Sequence, residues 1–162
     1  MSMPDQTHDP KARGFVASAN GHAEFPIQNL PFGVFAPKGG TPRAGVAIGD
    51  MILDLDALLA AGLLDGAAEE AAAAAEGGTL NEMLALGAGP RRALRARLFE
   101  LLSEGSAERA RVEGALHRAA EAHHAYEEEI GGPHADWQRW YAEHMARSLA
   151  EDGYELHRVD QA

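Results

Sequence analysis

Between residues 15 and 55 the apolar positions come in short runs cut apart by Gly, Pro and Asn; beyond Asp54 they recur three and four residues apart. That change of period predicts strands first and helices afterwards. The candidate strands are residues 15–18, 33–36, 44–48 and 51–55, each short and bounded by turn formers, as in a small meander or barrel. Gly49-Asp50, lying between two apolar runs, predicts a hairpin turn in which the glycine takes the positive φ. Pro26 and Pro31 bracket a stretch that cannot be a central strand, because neither residue can donate to a ladder. Residues 1–14 are mostly polar and are expected to form a disordered leader.

The helical half opens at Asp56, which is expected to cap residues 57–61 ahead of Gly62. Residues 65–76 are alanine-rich, good for helix but with almost nothing large to bury, so a surface or frayed helix is expected. Thr79-Leu80-Asn81-Glu82 spells a capping box for residues 80–86, with Gly87 as the stop. Pro90 suits the first turn of the next helix, whose buried face is Leu94, Leu98, Leu101 and Leu102 and which Gly105 closes. Ser106 then begins a long helix through Val112, Leu116, Ala119, His123, Tyr126 and Ile130, broken at Gly131-Gly132-Pro133. Asp136 caps a second helix with Trp137, Trp140, Tyr141, His144, Met145 and Leu149 on one face. The short connection folds the two into an antiparallel hairpin. Residues 154–159 read as a frayed tail or a terminal strand.

Composition narrows the function classes. With no cysteine, disulfides, thiolate zinc sites and a cysteine nucleophile are excluded, which fits a reducing compartment. The N-terminus lacks an apolar signal core, and no apolar run approaches the roughly 20 residues of a membrane span. The expectation is a soluble cytoplasmic protein with no membrane partner. A net charge of −11 argues against nucleic acid, whose affinity comes mainly from Lys and Arg. Up to Arg118 there are 15 acidic and 11 basic residues; from Ala119 onward there are 10 and 3, and six of the eight histidines lie at or after His117. Composition thus shifts near residue 118.

Three blocks carry a family resemblance: FPIQNLPFGVF from Phe25 to Phe35, GVAIGD with ILDL from Gly45 to Leu55, and TLNEMLALG from Thr79 to Gly87. SAN before them and LRARLFELLSEGS after them agree in order and spacing. From about Phe15 to Leu116 the chain resembles the N-terminal domain of fumarylacetoacetase. The resemblance implies a small SH3-like barrel with helical additions, in a dimeric family active in tyrosine and phenylalanine catabolism. That family hydrolyses fumarylacetoacetate to fumarate and acetoacetate, using a divalent metal, magnesium or calcium, and a histidine in a larger C-terminal domain. The expected continuation, a stretch like IGDYTDFY followed by a histidine, is replaced here by HRAAEAHHAYEEEIGG. Glu127-Glu128-Glu129 has the spacing of the family's paired glutamates but sits in a polar helical run. No catalytic, cofactor-binding or metal-binding residue of the family carries over to a position in this chain.

The expected class is α+β: a small SH3-like β-barrel with short helices over residues 15–118, then an acidic helical tail over residues 119–162 forming the hairpin. The first function expected is a non-catalytic structural or interaction module of the fumarylacetoacetase type. An alternative is one piece of a split enzyme whose catalytic domain is on another chain; the partner is that chain, or a second copy in a homodimer. A third is a small metal- or ligand-binding protein built on the hairpin. For that third reading the pattern is Glu121-x-x-His124, flanked at helical spacing by His117 and Glu128. Glu143 and His144 are adjacent and cannot both face it, so a solvated charged face is the simpler reading. Trp137, Trp140 and Tyr141 read as the seam of the hairpin rather than a binding surface, with His123 and His144 beside them. Arg91, Arg92, Arg95 and Arg97 form the one basic cluster and read as a solvated helix face.

Overall fold

The computed structural model describes residues 5–118. Its strands are β1 (Phe32–Phe35), β2 (Arg43–Ile48), β3 (Met51–Asp54) and β4 (Leu116–Arg118). They form one antiparallel sheet in the order β1-β2-β3-β4. Between β3 and β4 run five short helices: α1 (Leu55–Ala60), α2 (Gly66–Ala73), α3 (Asn81–Ala85), α4 (Ala88–Leu102) and α5 (Arg109–Glu113). The class is α+β. Among the described residues the sheet is open, with β1 and β4 as its edges, and no helix is long and apolar enough to cross a membrane.

The sheet is organised by the β2–β3 hairpin. Ile48 pairs with Met51 around the two-residue turn expected at Gly49-Asp50, and Gly49 takes φ +53°. Glycine at the first central position, with no positive φ at Asp50, fits a type II′ turn. From this register, Ala44, Val46, Ile48 and Leu53 share one face, and all four are buried. The helices cover that face. Leu55 and Leu58 of α1 join it, as do Leu94, Leu98, Leu101 and Leu102, the stripe expected of α4.

Several expectations need correction. The alanine helix is a core element: Ala68, Ala71, Ala72 and Ala75 are buried, and α2 packs principally on α4. Side chains this small let helix backbones approach closely, so burial needs no large residue. Secondly, α1 is capped by Asp54, not Asp56; Asp54 has the extended φ/ψ a cap requires and accepts from the Asp56 and Ala57 N–H groups. Thirdly, the Thr79 capping box does not form, since α3 starts one residue later with Leu80 at its cap position and no side-chain bond there. Fourthly, the long helix expected from Ser106 is only α5, ending at Gly114, after which the chain turns into β4. Pairing with β3, including Asp54 N–H to the Ala115 carbonyl at 2.9 Å, outweighs the helical spacing of Val112 and Leu116. The rest of that helix, the hairpin and residues 154–159 lie outside the described residues.

The leader is also ordered where it is described. Asp5 caps a 3₁₀ turn at Gln6–His8, and Thr7 is buried. The Gln28 amide donates to the Asp9 and Ala12 carbonyls at 2.8 and 2.9 Å, and Glu104 N–H reaches the Arg13 carbonyl. A polar segment thus finds its partners in the folded domain rather than in water. The candidate strand at residues 15–18 is replaced by a 3₁₀ turn, Ala17–Ala19, with an isolated bridge from Gly14 to Ser103. This turn sits on the β2–β3 hairpin: Asp50 N–H bonds the Ser18 hydroxyl at 3.0 Å and Gly49 N–H the Phe25 carbonyl at 2.7 Å.

Gly49 is therefore doubly required. A Cβ there would fall 2.5 Å from the Ala19 nitrogen, and the positive φ disfavours any side chain. Gly49→Ala is expected to cost about 2–4 kcal/mol, combining the left-handed penalty with overpacking. Urea denaturation checks this; a loss below about 0.5 kcal/mol contradicts the close docking of the turn.

Candidate functional site

The face of the sheet opposite the core carries Arg43, Gly45, Ile52, Asp54 and His117, with Phe35 directly across from Arg43. Strand alternation puts them there together. Asp54 closes β3 and begins α1, and it is fully buried. Its Oδ1 accepts from the Asp56 and Ala57 N–H groups at 3.0 and 3.2 Å. Its Oδ2 accepts from Arg43 Nη1 at 3.0 Å and lies 3.4 Å from His117 Nε2. Arg43 and His117 are each about one-third exposed, so the cluster is covered at the carboxylate and wet at the guanidinium and imidazole.

Apolar groups pack beside the Asp54 cluster. Gly45 stands opposite Asp54, and a Cβ on it would come within 2.9 Å of the Phe35 ring and 2.8 Å of Ile52 Cγ2. The missing side chain lets Phe35 lie flat against the sheet. The Phe35 and His117 rings are 5.4 Å apart at 46°, so the imidazole is flanked by a ring and a carboxylate. Arg43 and Asp54 are diagonal neighbours on the hairpin, within reach of a long side chain.

This constellation joins three elements, α1, β2 and β4. The carboxylate accepts from two backbone N–H groups on one oxygen and from a guanidinium on the other, with an imidazole nitrogen 3.4 Å away. A guanidinium 3.0 Å away also repels any cation brought there. Among the described residues, no group of three or more His, Cys, Asp or Glu is placed to hold a metal ion.

Asp56 pays for its neighbour. Burial raises its carboxyl above the usual range, the Asp54 charge adds to this, and Arg43 offsets part of it. Its Oδ1 is buried without a partner. The helix N-terminus favours a negative charge at this position, but desolvation and like charge win.

Of the residues singled out by sequence, His117 is on β4 against Asp54, not on a helix face, so the helical spacing to Glu121 fails at its first member. Glu121, His124, Glu128, Glu143, His144 and the aromatic seam lie outside the described residues. The basic cluster is mostly tied down. Arg91 bonds the Gly87 carbonyl at 2.8 Å, Arg95 the Gln28 carbonyl, and Arg97 the Leu63 carbonyl at 3.1 Å and Glu100 at 2.9 Å. Of the four, only Arg92 is exposed. Asp54 and Arg43 were not foreseen, although counting register outward from Gly49-Asp50 brings residues 43 and 54 together on one face. A surface depression of about 300 Å³ is lined by Lys11, Arg13, Asn20 and Gln28, but both amides are already bonded to backbone.

The family model described as "Fumarylacetoacetase N-terminal" matches residues 28–127, starting later than Phe15 and continuing past the compositional shift at residue 118. The chain is 46% identical over 82 residues to fumarylacetoacetase of Arabidopsis thaliana, covering 50% of the chain and 20% of that protein. With the rice enzyme of the same name (Oryza sativa subsp. japonica) it shares 45% over 95 residues, 56% of the chain and 22% of the relative. With that of Caenorhabditis elegans it shares 46% over 91 residues, 53% and 21%. The chain thus spans about one-fifth of the length of these relatives.

Two substitutions test the cluster. Arg43→Met orphans a buried carboxylate and is expected to cost about 3 kcal/mol, the low end of the usual range because water reaches the guanidinium. Urea denaturation reads it, and a change under about 0.5 kcal/mol contradicts the pairing. Asp56→Asn removes a charge that the folded state disfavours. With a folded pKa above the unfolded one, the penalty is absent below the usual carboxylate range and fully present at neutral pH. The melting temperature is therefore expected to rise at pH 7, with the gain vanishing near about pH 3. A fall at pH 7 contradicts it.

Proposed function

The chain belongs to the fumarylacetoacetase N-terminal family, and from that premise we propose that it is the structural and docking module of a fumarylacetoacetase-type hydrolase, performing no hydrolysis by itself. The observation that carries this is the chemistry of the Asp54 cluster. Hydrolysing a carbon–carbon bond next to carbonyls requires an activated water and a group that takes up developing negative charge. The one buried carboxylate of the described residues is engaged in the framework: its Oδ1 accepts from two N–H groups of α1, its Oδ2 accepts from Arg43 of β2, and His117 of β4 stands 3.4 Å away. It is a fastening. The magnesium or calcium associated with the family does not fit these residues, because the guanidinium already occupies the carboxylate.

In the same reading the open sheet is the described part of a small SH3-like barrel, and the protein works in the cytoplasm. Its partner is a fumarylacetoacetase catalytic domain, in the same polypeptide or on another.

Purified chain is expected to leave fumarylacetoacetate unhydrolysed with or without added magnesium or calcium, followed by loss of substrate absorbance. Metal-dependent turnover that co-purifies with the chain overturns the proposal. A separately produced fumarylacetoacetase catalytic domain whose activity rises when the chain is added supports the docking role.

A further inference from the structure

Residues 10–13, 19–21, 26 and 28 line the depression of about 300 Å³, which is at the small end of the range for ligand pockets. Its only charged lining groups are Lys11 and Arg13, and no carboxylate lines it. Up to Arg118 the chain carries 15 acidic and 11 basic residues, so two cations gathered without an acid run against the local balance. Both residues are exposed, and neither side chain has a hydrogen bond or ion pair among the described residues. The nearest acid along the chain, Asp9, accepts instead from the Lys11 backbone N–H at 2.9 Å. Most other arginines here are engaged by the fold: Arg43 by Asp54, Arg109 by Glu113, and Arg91, Arg95, Arg97 and Arg111 by backbone carbonyls.

The walls are fixed without a ligand. The Gln28 amide holds the Asp9 and Ala12 carbonyls, which secures the segment that carries Lys11 and Arg13. Across from it, the Asn20 amide accepts from the Gly14 N–H at 3.0 Å and donates to the Gly14 carbonyl at 2.8 Å. The backbone on both sides is thus ordered in advance, so a ligand need order only the two cationic side chains. Gly21 is also on the wall. It takes φ +86°, a Cβ on it would meet nothing within 4 Å, and its N–H has no acceptor among the described residues.

We propose that this depression binds a small doubly charged oxyanion, a phosphate or a dicarboxylate, with Lys11 and Arg13 as its charge partners and the Gly21 N–H as a further donor. The guanidinium offers a planar fork that matches two oxygens, and the ammonium adds a point charge beside it. A long polyanion does not suit the chain, whose net charge of −11 repels it. The Asp54 cluster differs in kind, because there the guanidinium already has a carboxylate of the protein. The two sites share no residue, and the anion site is independent of where hydrolysis takes place.

The test is titration of the full-length chain with inorganic phosphate and with succinate, at constant ionic strength so that screening does not change. Acetate is the singly charged control, and amide signals in nitrogen-15 NMR spectra are the readout. Saturable shifts at Arg13 and Gly21 are expected with at least one dianion, and the one that responds identifies the ligand class. Lys11→Gln and Arg13→Gln are each expected to weaken that binding about tenfold, through loss of one charge-assisted hydrogen bond, with thermal unfolding little changed. Arg92→Gln removes an exposed cation elsewhere and is expected to leave binding as it was. Shifts no greater than those with acetate overturn the proposal. So does binding that survives both glutamine variants, or that Arg92→Gln weakens equally.

Discussion

A single buried carboxylate sets the arrangement of this domain. Asp54 is the last residue of β3 and the cap of α1, and it accepts from Arg43 of β2 while His117 of β4 stands beside it. One side chain thus fixes where the sheet ends, where the helical half begins, and where the returning strand lies. A fully buried charge is tolerated because each oxygen has its donors. Removing any one of them leaves the desolvation cost without its compensation.

The two faces of the sheet divide the work. Ala44, Val46, Ile48 and Leu53 are buried with the leucines of α1 and α4, and this apolar face supplies the stability. The opposite face is sparing with apolar surface: Phe35 and Ile52 surround Gly45, and the ionic cluster sits beside them. Polar neighbours at fixed distance give that face its register rather than a reactive group.

Much of this is legible in the sequence, and the gaps have physical causes. Gly49-Asp50 and the alternation around it locate β2 and β3, and the leucine spacing of α4 locates the core, because both signals are local. β4 is not legible: Val112, Ala115 and Leu116 have helical spacing, and only β3, far away in sequence, makes a strand the better choice. The burial of Ala68, Ala71 and Ala72 is missed because small side chains look like surface until the facing helix is known. The ordering of residues 5–14 depends on the Gln28 amide, a partner no periodicity points to. The Asp54 cluster could have been found from the hairpin register, but Asp56 is an equally good cap by residue type. Backbone conformation alone chooses between them.

The most direct measurement is native-state amide exchange of Asp54→Ala against the parent chain. If Asp54 is the shared anchor, exchange accelerates together at the first turn of α1 and along the β3–β4 ladder, including the amide of residue 54 that bonds Ala115, while the Gly33–Gly45 rungs of β1 and β2 keep their protection. Acceleration confined to the amides of Asp56 and Ala57 would mean that Asp54 caps a helix and does no more.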